Sequence, residues 1–265
     1  MPSVPAATRH IILCADDFGL SDGANRSILQ LADGAAISAT SCAVDGPAMS
    51  THVAALRERR PRLAVGLHFN LTENPNFPGS RTVPRWIIAT YLRGNLDVEA
   101  LRREVHRQFA RFDELFGAPP DFVDGHEHVH QFPLLRRLVL DTARERYGTG
   151  FFVRCTWPRH FRGMKAAVIG LLGARSLRHG VARRGLRCNR DFAGVYDLAA
   201  GQGYAARMAG WLRDIEDGGL IMCHPEEPGR SPNVARTHEH AFFCSVEWPR
   251  MLRDWNIVLA GVAPT

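Results

Sequence analysis

Seven short apolar runs recur along the chain with helix-length segments between them, and this alternation limits the fold more than any other feature. The runs cover residues 11–15, 37–44, 63–69, 122–125, 151–155, 220–223 and 257–260. Their nearly continuous apolar content fits parallel strands covered on both faces. Between them, Ser21 is placed to cap a helix reaching about Ala32, with Gly34 at its end. Asp97 opens a second helix that ends near Phe116-Gly117. Pro133 starts a third that stops at Gly148, and a fourth runs from about Tyr204 to Glu216. The Pro- and Gly-rich residues 74–84 read as a long surface loop. Repeated β-α units imply a parallel sheet, either open and doubly wound or closed into a barrel, and the runs alone leave both possible.

Composition excludes other classes. With 45% hydrophobic and 23% charged residues over 265 positions, the chain is globular and long enough to bury a substantial core. Its most membrane-like run, residues 166–174, holds nine residues, against the roughly 20 needed to span a bilayer. Residues 1–9 lack the apolar stretch of a secretory signal, so a soluble, cytoplasmic protein is expected. The six cysteines form no CxxC pair and read as buried thiols in a reducing compartment. The net charge of +6 is concentrated in one place: Arg146 to Arg190 contains eleven Lys and Arg and no Asp or Glu. Two readings of that stretch stand side by side. One is a solvated helix face, and the other is an element lying on an anionic membrane surface, at the inner face of the membrane. No helix-turn-helix, RNA-recognition or zinc-finger pattern accompanies the charge, so no nucleic-acid partner is expected.

Four clusters place metal-capable residues where an apolar run ends. Asp16 and Asp17 follow the first, and two adjacent carboxylates repel unless a cation intervenes; a turn with a helix cap is the alternative. His68 closes the third, where a lone histidine is ordinarily a hydrogen-bonded rim residue. Asp124-Gly125-His126-Glu127-His128-Val129-His130 follows the fourth run, and an extended backbone would put its three alternating histidines on one face. Imidazole and carboxylate together suit Zn²⁺ or a similar divalent ion. His126-Glu127-x-x-His130 has the spacing of the HExxH metalloprotease signature, but the segment reads as extended and not as the helix that signature requires. His224-Pro225 ends the sixth run, and strand ends are where β/α folds build their sites.

Taken together, ADDFG at 15–19, GLHFNLT at 66–72, DGHEHVH at 124–130 and CHP at 223–225 resemble the YdjC-like carbohydrate deacetylases, a family that includes chitooligosaccharide deacetylases. The branch associated with hopanoid biosynthesis is the most similar, on residues 165–172, Asn189–Gly194 and Arg236-x-x-Glu239. The resemblance implies a single domain over residues 1–265, a distorted, TIM-like (β/α) barrel, with the basic residues 156–190 as an insertion-like segment. It further implies one divalent metal, Zn or Mg, on Asp17, His68 and His126. Asp16 is then the general base, and His224 or His128 the acid. The implied reaction removes the acetyl group from an N-acetylglucosamine-type sugar, with a lipid-linked sugar such as an N-acetylglucosaminyl hopanoid as the branch-level expectation. Asp124 is a candidate to hold a ligand histidine in one tautomer. A phosphoesterase or glycosidase on the same scaffold, or a non-catalytic metal- or sugar-binding protein, would carry the same residues, and a homodimer is left open.

Overall fold

The computed structural model describes residues 7–94, 96–198 and 203–262; the expected absence of an N-terminal signal falls largely on residues 1–6, outside the described residues. In chain order the elements are β1 (Arg9–Phe18), α1 (Asp22–Asp33), β2 (Ala39–Cys42), α2 (Met49–Arg57), β3 (Ala64–Phe69), α3 (Val83–Ile88), α4 (Val98–Phe116), β4 (Phe122–Gly125), α5 (Leu135–Tyr147) and β5 (Phe152–Val153). There follow α6 (Met164–Ile169), α7 (Arg175–Arg183), β6 (Phe192–Ala193), α8 (Tyr204–Asp214), β7 (Leu220–Cys223), α9 (Val234–Phe243), α10 (Glu247–Asp254) and β8 (Ile257–Leu259). The strands lie in the order β5-β4-β3-β2-β1-β7-β6, with β8 paired to the start of β1, and every pairing is parallel.

All seven apolar runs fall on strands, β1 extending beyond its run at both ends, and β4 and β7 match the expected residues. The Ser21 hydroxyl accepts from Ala24 N, and the Asp97 carboxylate accepts from Ala100 N, so both expected caps are made. Residues 74–84 are not wholly loop, because Thr82 precedes a helix that holds Pro84 in its first turn. The strand β6 was not among the apolar runs: two residues leave no periodicity to read.

Alternation along the strands sorts two apolar sets. Ile11, Leu13 and Ala15 of β1 pack with the helices, whereas Ile12 and Cys14 join Phe122, Phe152, Phe192, Leu220 and Met222 inside the sheet's curve. These aromatic rings fill the lumen, and Gly66 makes room for one of them. A Cβ at Gly66 would stand 2.5 Å from the Phe122 ring.

Closure between β5 and β7 depends on the segment leading into β6. Val153 N donates to Arg187 O at 2.8 Å and Arg187 N to Phe151 O at 2.9 Å. One residue pair further on, the ladder gives way to a side chain. The buried Asn189 amide accepts from Cys155 N and donates to Cys155 O and Asp191 O, each at 2.8 Å. Leu220 N then donates to Asp191 O at 3.0 Å and passes the sheet to β7. The product is a distorted (β/α) barrel in a single domain. Replacing Asn189 by Ala takes the side-chain partners from the N–H and the carbonyl of Cys155, while the Asp191 carbonyl keeps Leu220 N. At about 1–3 kcal/mol for a buried group left unpaired, Asn189→Ala is expected to lose about 2–4 kcal/mol of stability, readable in chemical denaturation; an unchanged midpoint would show that the amide does not close the barrel.

Candidate functional site

Successive residues of a regular strand point to opposite faces, so Asp16 and Asp17 could not share a site on an undistorted β1. The β1–β2 register slips between Ala15 and Phe18, and Asp17 takes a left-handed backbone with φ of 70°. Such a conformation costs a non-glycine residue about 1–3 kcal/mol. Its result is that both carboxylates face the cavity at the C-terminal end of the barrel.

Around that end β2, β3, β4 and the residue after β5 each contribute an inward group. His68 on β3 stands directly across from Asp124 on β4, and the His68 Nδ1–H donates to Asp124 Oδ1 at 2.6 Å. Ser41, at the third position of β2, lies 3.0 Å from the same nitrogen and 3.3 Å from Asp16 Oδ1. From β5 comes Arg154, wholly buried, whose guanidinium grips both oxygens of Asp16, one at 2.6 Å, and also contacts Asp124 and, at 3.0 Å, the Cys14 sulfur.

The other face of His68 completes a second grouping. Its Nε2 lies 3.3 Å from Asp17 Oδ1 and 3.3 Å from His126 Nδ1, and the last two atoms are 3.1 Å apart. Ligands held about 2.0–2.2 Å from a common ion at angles of about 90–110° stand about 2.8–3.6 Å from one another, so the triangle has the size an ion requires. Arg236 donates to the remaining Asp17 oxygen, Oδ2, at 2.7 Å, which leaves Oδ1 for the histidines.

The histidine-rich segment departs from the extended conformation expected of it. Residues His126–Gln131 form a tight 3₁₀ turn, with Glu127 at φ 49° and His128 at φ 61°. The three histidines therefore diverge. His126 joins the triangle, and His128 lines the cavity edge-on to Phe192, with Nδ1 buried and unpartnered. His130 turns away and donates from Nε2 to the Arg154 carbonyl at 3.0 Å, so it braces the backbone that carries the arginine.

Charge follows the geometry. Burial pushes the Asp16 carboxyl up, but the Arg154 guanidinium outweighs it and holds the group well below the usual carboxylate range. Burial likewise works against ionised Asp17, and His126 and His68 reverse the outcome. For His68, burial favours the neutral ring, yet Asp124, Asp17 and Asp16 raise it to about 10. Three carboxylates converge here, and in the ion-free chain an imidazolium answers them. His128 and His224 are both pushed down by burial and stay neutral near pH 7.

All six residues singled out in the sequence, Asp16, Asp17, His68, His126, His128 and His224, line one cavity of about 920 Å³. His224 Nε2 lies 3.9 Å from Asp16 Oδ2. Sequence reasoning missed the residues that orient them. Arg154 was read only as part of a basic stretch, although its position inside an apolar run, between Val153 and Cys155, is the signal for an inward charge. Arg236, Glu226 and Glu239 were likewise given no role. Glu239 accepts from the His224 backbone N–H and from the Tyr196 hydroxyl, and burial raises its carboxyl to about 7.

Comparison with known proteins is consistent with this arrangement. A family profile described as "YdjC-like protein" matches residues 10–254. The chitooligosaccharide deacetylase of Escherichia fergusonii is 38% identical over 143 residues, covering 52% of this chain and 56% of that protein. That of Enterobacter sp. strain 638 is 37% identical over 139 residues, covering 50% and 55%. The chain thus spans little more than half the length of the curated relatives it matches. Among solved structures, a protein described as a cellobiose-phosphate cleavage protein from Enterococcus faecalis V583 superposes with a TM-score of 0.69 at 20% identity, over 97% of this chain and 98% of that one. An uncharacterized protein from Agrobacterium tumefaciens C58 gives 0.57 at 14% identity, over 98% and 90%. These two likenesses concern the fold. The profile match runs through every strand-end cluster described above, and the chain belongs to the YdjC-like protein family.

Proposed function

We propose that the protein is a metal-dependent hydrolase that removes the N-acetyl group from an N-acetylglucosamine-type sugar. The observation that carries this reading is the triangle of Asp17, His68 and His126 beside an arginine-clamped Asp16 in a substrate-sized cavity. The curated relatives named chitooligosaccharide deacetylases support the choice of sugar amide over other substrates. Asp17 Oδ1, His68 Nε2 and His126 Nδ1 would hold the ion, Zn or Mg. Three protein ligands leave room for water and substrate. When bound, such an ion supplies Lewis acidity for the acetyl carbonyl and acidifies water.

The chain's own groups manage the protons. A carboxylate offers about four acceptor sites, and Ser41 and Arg154 take three of those on Asp16. The fourth is free to accept the proton of the attacking water. Because Arg154 keeps Asp16 a weak base, the proton is readily passed on. His224, neutral at rest and 3.9 Å away, is the group to relay it to the departing amine; His128 is the second candidate in the same cavity. Water's hydroxyl ends on acetate and its proton on the sugar amine. Asp124 fixes the His68 tautomer so that Nε2 faces the triangle.

The cavity also bears on what the sugar is attached to. Val83, Phe132, Val168, Ile169, Leu172 and Val195 contribute apolar lining to it. That lining suits a sugar carried on an apolar aglycone, and a hopanoid-type lipid is the substrate we favour.

Acetate release from N-acetylglucosamine-bearing substrates, combined with elemental analysis of the purified protein, tests the reading; release of phosphate or of a reducing sugar alone would replace it. Asp17→Ala and His126→Ala are expected to abolish metal retention and turnover together. Asp16→Asn should retain metal while losing at least about 100-fold in turnover, the usual scale of a general base; a fully active variant would remove Asp16 from the mechanism. Metal affinity should depend on pH in a defined sense. His68 carries a proton below about 10 in the ion-free chain, and ion binding must expel it. Affinity should therefore rise with pH, by up to about tenfold per unit between pH 6 and 8. A flat profile in competition titrations would show that His68 is not a ligand.

A further inference from the structure

Ten large apolar side chains stand out as exposed among the described residues, and seven of them come from two short segments. Ile88, Tyr91 and Leu92 belong to α3 and the π-helical turn that extends it over Ala89–Arg93. Phe161, Met164, Val168 and Leu171 belong to the approach to α6, to α6 itself and to the π-helical turn Gly170–Ala174. Leu92, Phe161, Met164 and Leu171 are 72–78% exposed.

Helical spacing shows that these are faces. Ile88, Tyr91 and Leu92 stand at i, i+3 and i+4, and Met164, Val168 and Leu171 at i, i+4 and i+7. One stripe lines the cavity and the other reaches it through a neighbour. Val168 lines it, as do Val83 and Phe132, and the Tyr91 ring meets Phe132 edge-on at 6.3 Å. Gln131, in the histidine turn, donates to Ile169 O at 2.8 Å, so α6 is tied to the segment that carries His126. Two apolar ridges therefore flank the mouth of the site.

The two segments themselves carry only positive charge, while Asp197 stands 3.5 Å from Lys165, and Glu73 and Glu127 line the cavity. Neither residues 74–96 nor residues 147–189 contain an Asp or Glu, and Arg85, Lys165 and Arg175 are exposed beside the apolar stripes. Apolar ridges framed by cations suit the headgroup region of an anionic bilayer, where the apolar side chains enter the acyl boundary and the cations meet phosphates. A protein partner would need acidic groups against the cations and matching apolar pockets, whereas a bilayer supplies both from any orientation about its normal.

We propose that these two segments dock the protein on an anionic membrane surface with the cavity mouth facing the lipid. The inference deepens the reading of the cavity as a site for lipid-carried sugar. Vesicle binding, however, can be measured without assuming that reaction.

Co-sedimentation with phosphatidylcholine vesicles, and with vesicles carrying about 30% phosphatidylglycerol, at low and high salt, tests it. Leu92→Ser combined with Leu171→Ser is the decisive variant, because neither side chain lines the cavity and both are already exposed. The wild-type chain should bind the anionic vesicles at low salt, retain part of that binding at high salt, and lose at least about tenfold in affinity in the double variant. Hydrolysis of a soluble N-acetylated oligosaccharide should be unchanged in the same variant, so failure of the proposed reaction and failure of docking give different results. Absence of binding to anionic vesicles at low salt overturns the proposal, as does undiminished binding by the double variant. A wild-type dimer in sedimentation that the double variant abolishes would reassign the ridges to a second copy of the chain.

Discussion

One guanidinium holds the functional end of the barrel together. Arg154 enters the lumen from β5 and meets Asp16 from β1 and Asp124 from β4, all buried. Burying a cation is costly unless its charge is answered, and here two carboxylates answer it through the terminal nitrogens, one of which also meets a cysteine sulfur, while Nε stays without a hydrogen-bond partner. Asp16 keeps one acceptor site toward the cavity, and Asp124 fixes the ring of His68. The arginine thereby couples packing of the lumen to the arrangement of groups that would handle substrate.

The site is also held by strain. Asp17, Glu127 and His128 all have positive φ without being glycine, and all three border the same cavity. Each conformation is locally unfavourable and persists because surrounding contacts fix it. At Asp17 the distortion brings two sequential carboxylates onto one side of a strand. At Glu127 and His128 it separates histidines that a regular strand would have aligned. The rigidity expected of such over-determined turns suits a site whose ligand atoms sit within a few tenths of an ångström of the spacing an ion needs.

Much of this was legible before any coordinates. The apolar runs mark the parallel strands because a strand covered on both faces must be apolar throughout. Asp16, Asp17, His68, His126 and His224 stand out because polar groups at the ends of such runs have little packing reason to be there. The missing parts fail for identifiable reasons. Arg154 and Glu239 act through long-range partners that no local pattern records. The turn at His126–Gln131 defeats a periodicity argument because backbone handedness is not written in alternation. The short strand β6 and its Asn189 approach depend on pairing between distant segments, so their role emerges only when the barrel closes.

That closure has a dynamic consequence. Where a continuous ladder shares load among many amides, the seam beyond Arg187 passes through one side chain, Asn189, whose rotamer must be right. Local opening events select the least cross-braced junction of a structure. Amide exchange should therefore mark this stave of the barrel as the first to part. Because Cys155 N, held by that side chain, is adjacent to Arg154, breathing of the seam would transmit directly to the charge layer in the lumen. Should that joint part first, slow conformational exchange at the site would originate one residue from the buried cation rather than in the surface loops.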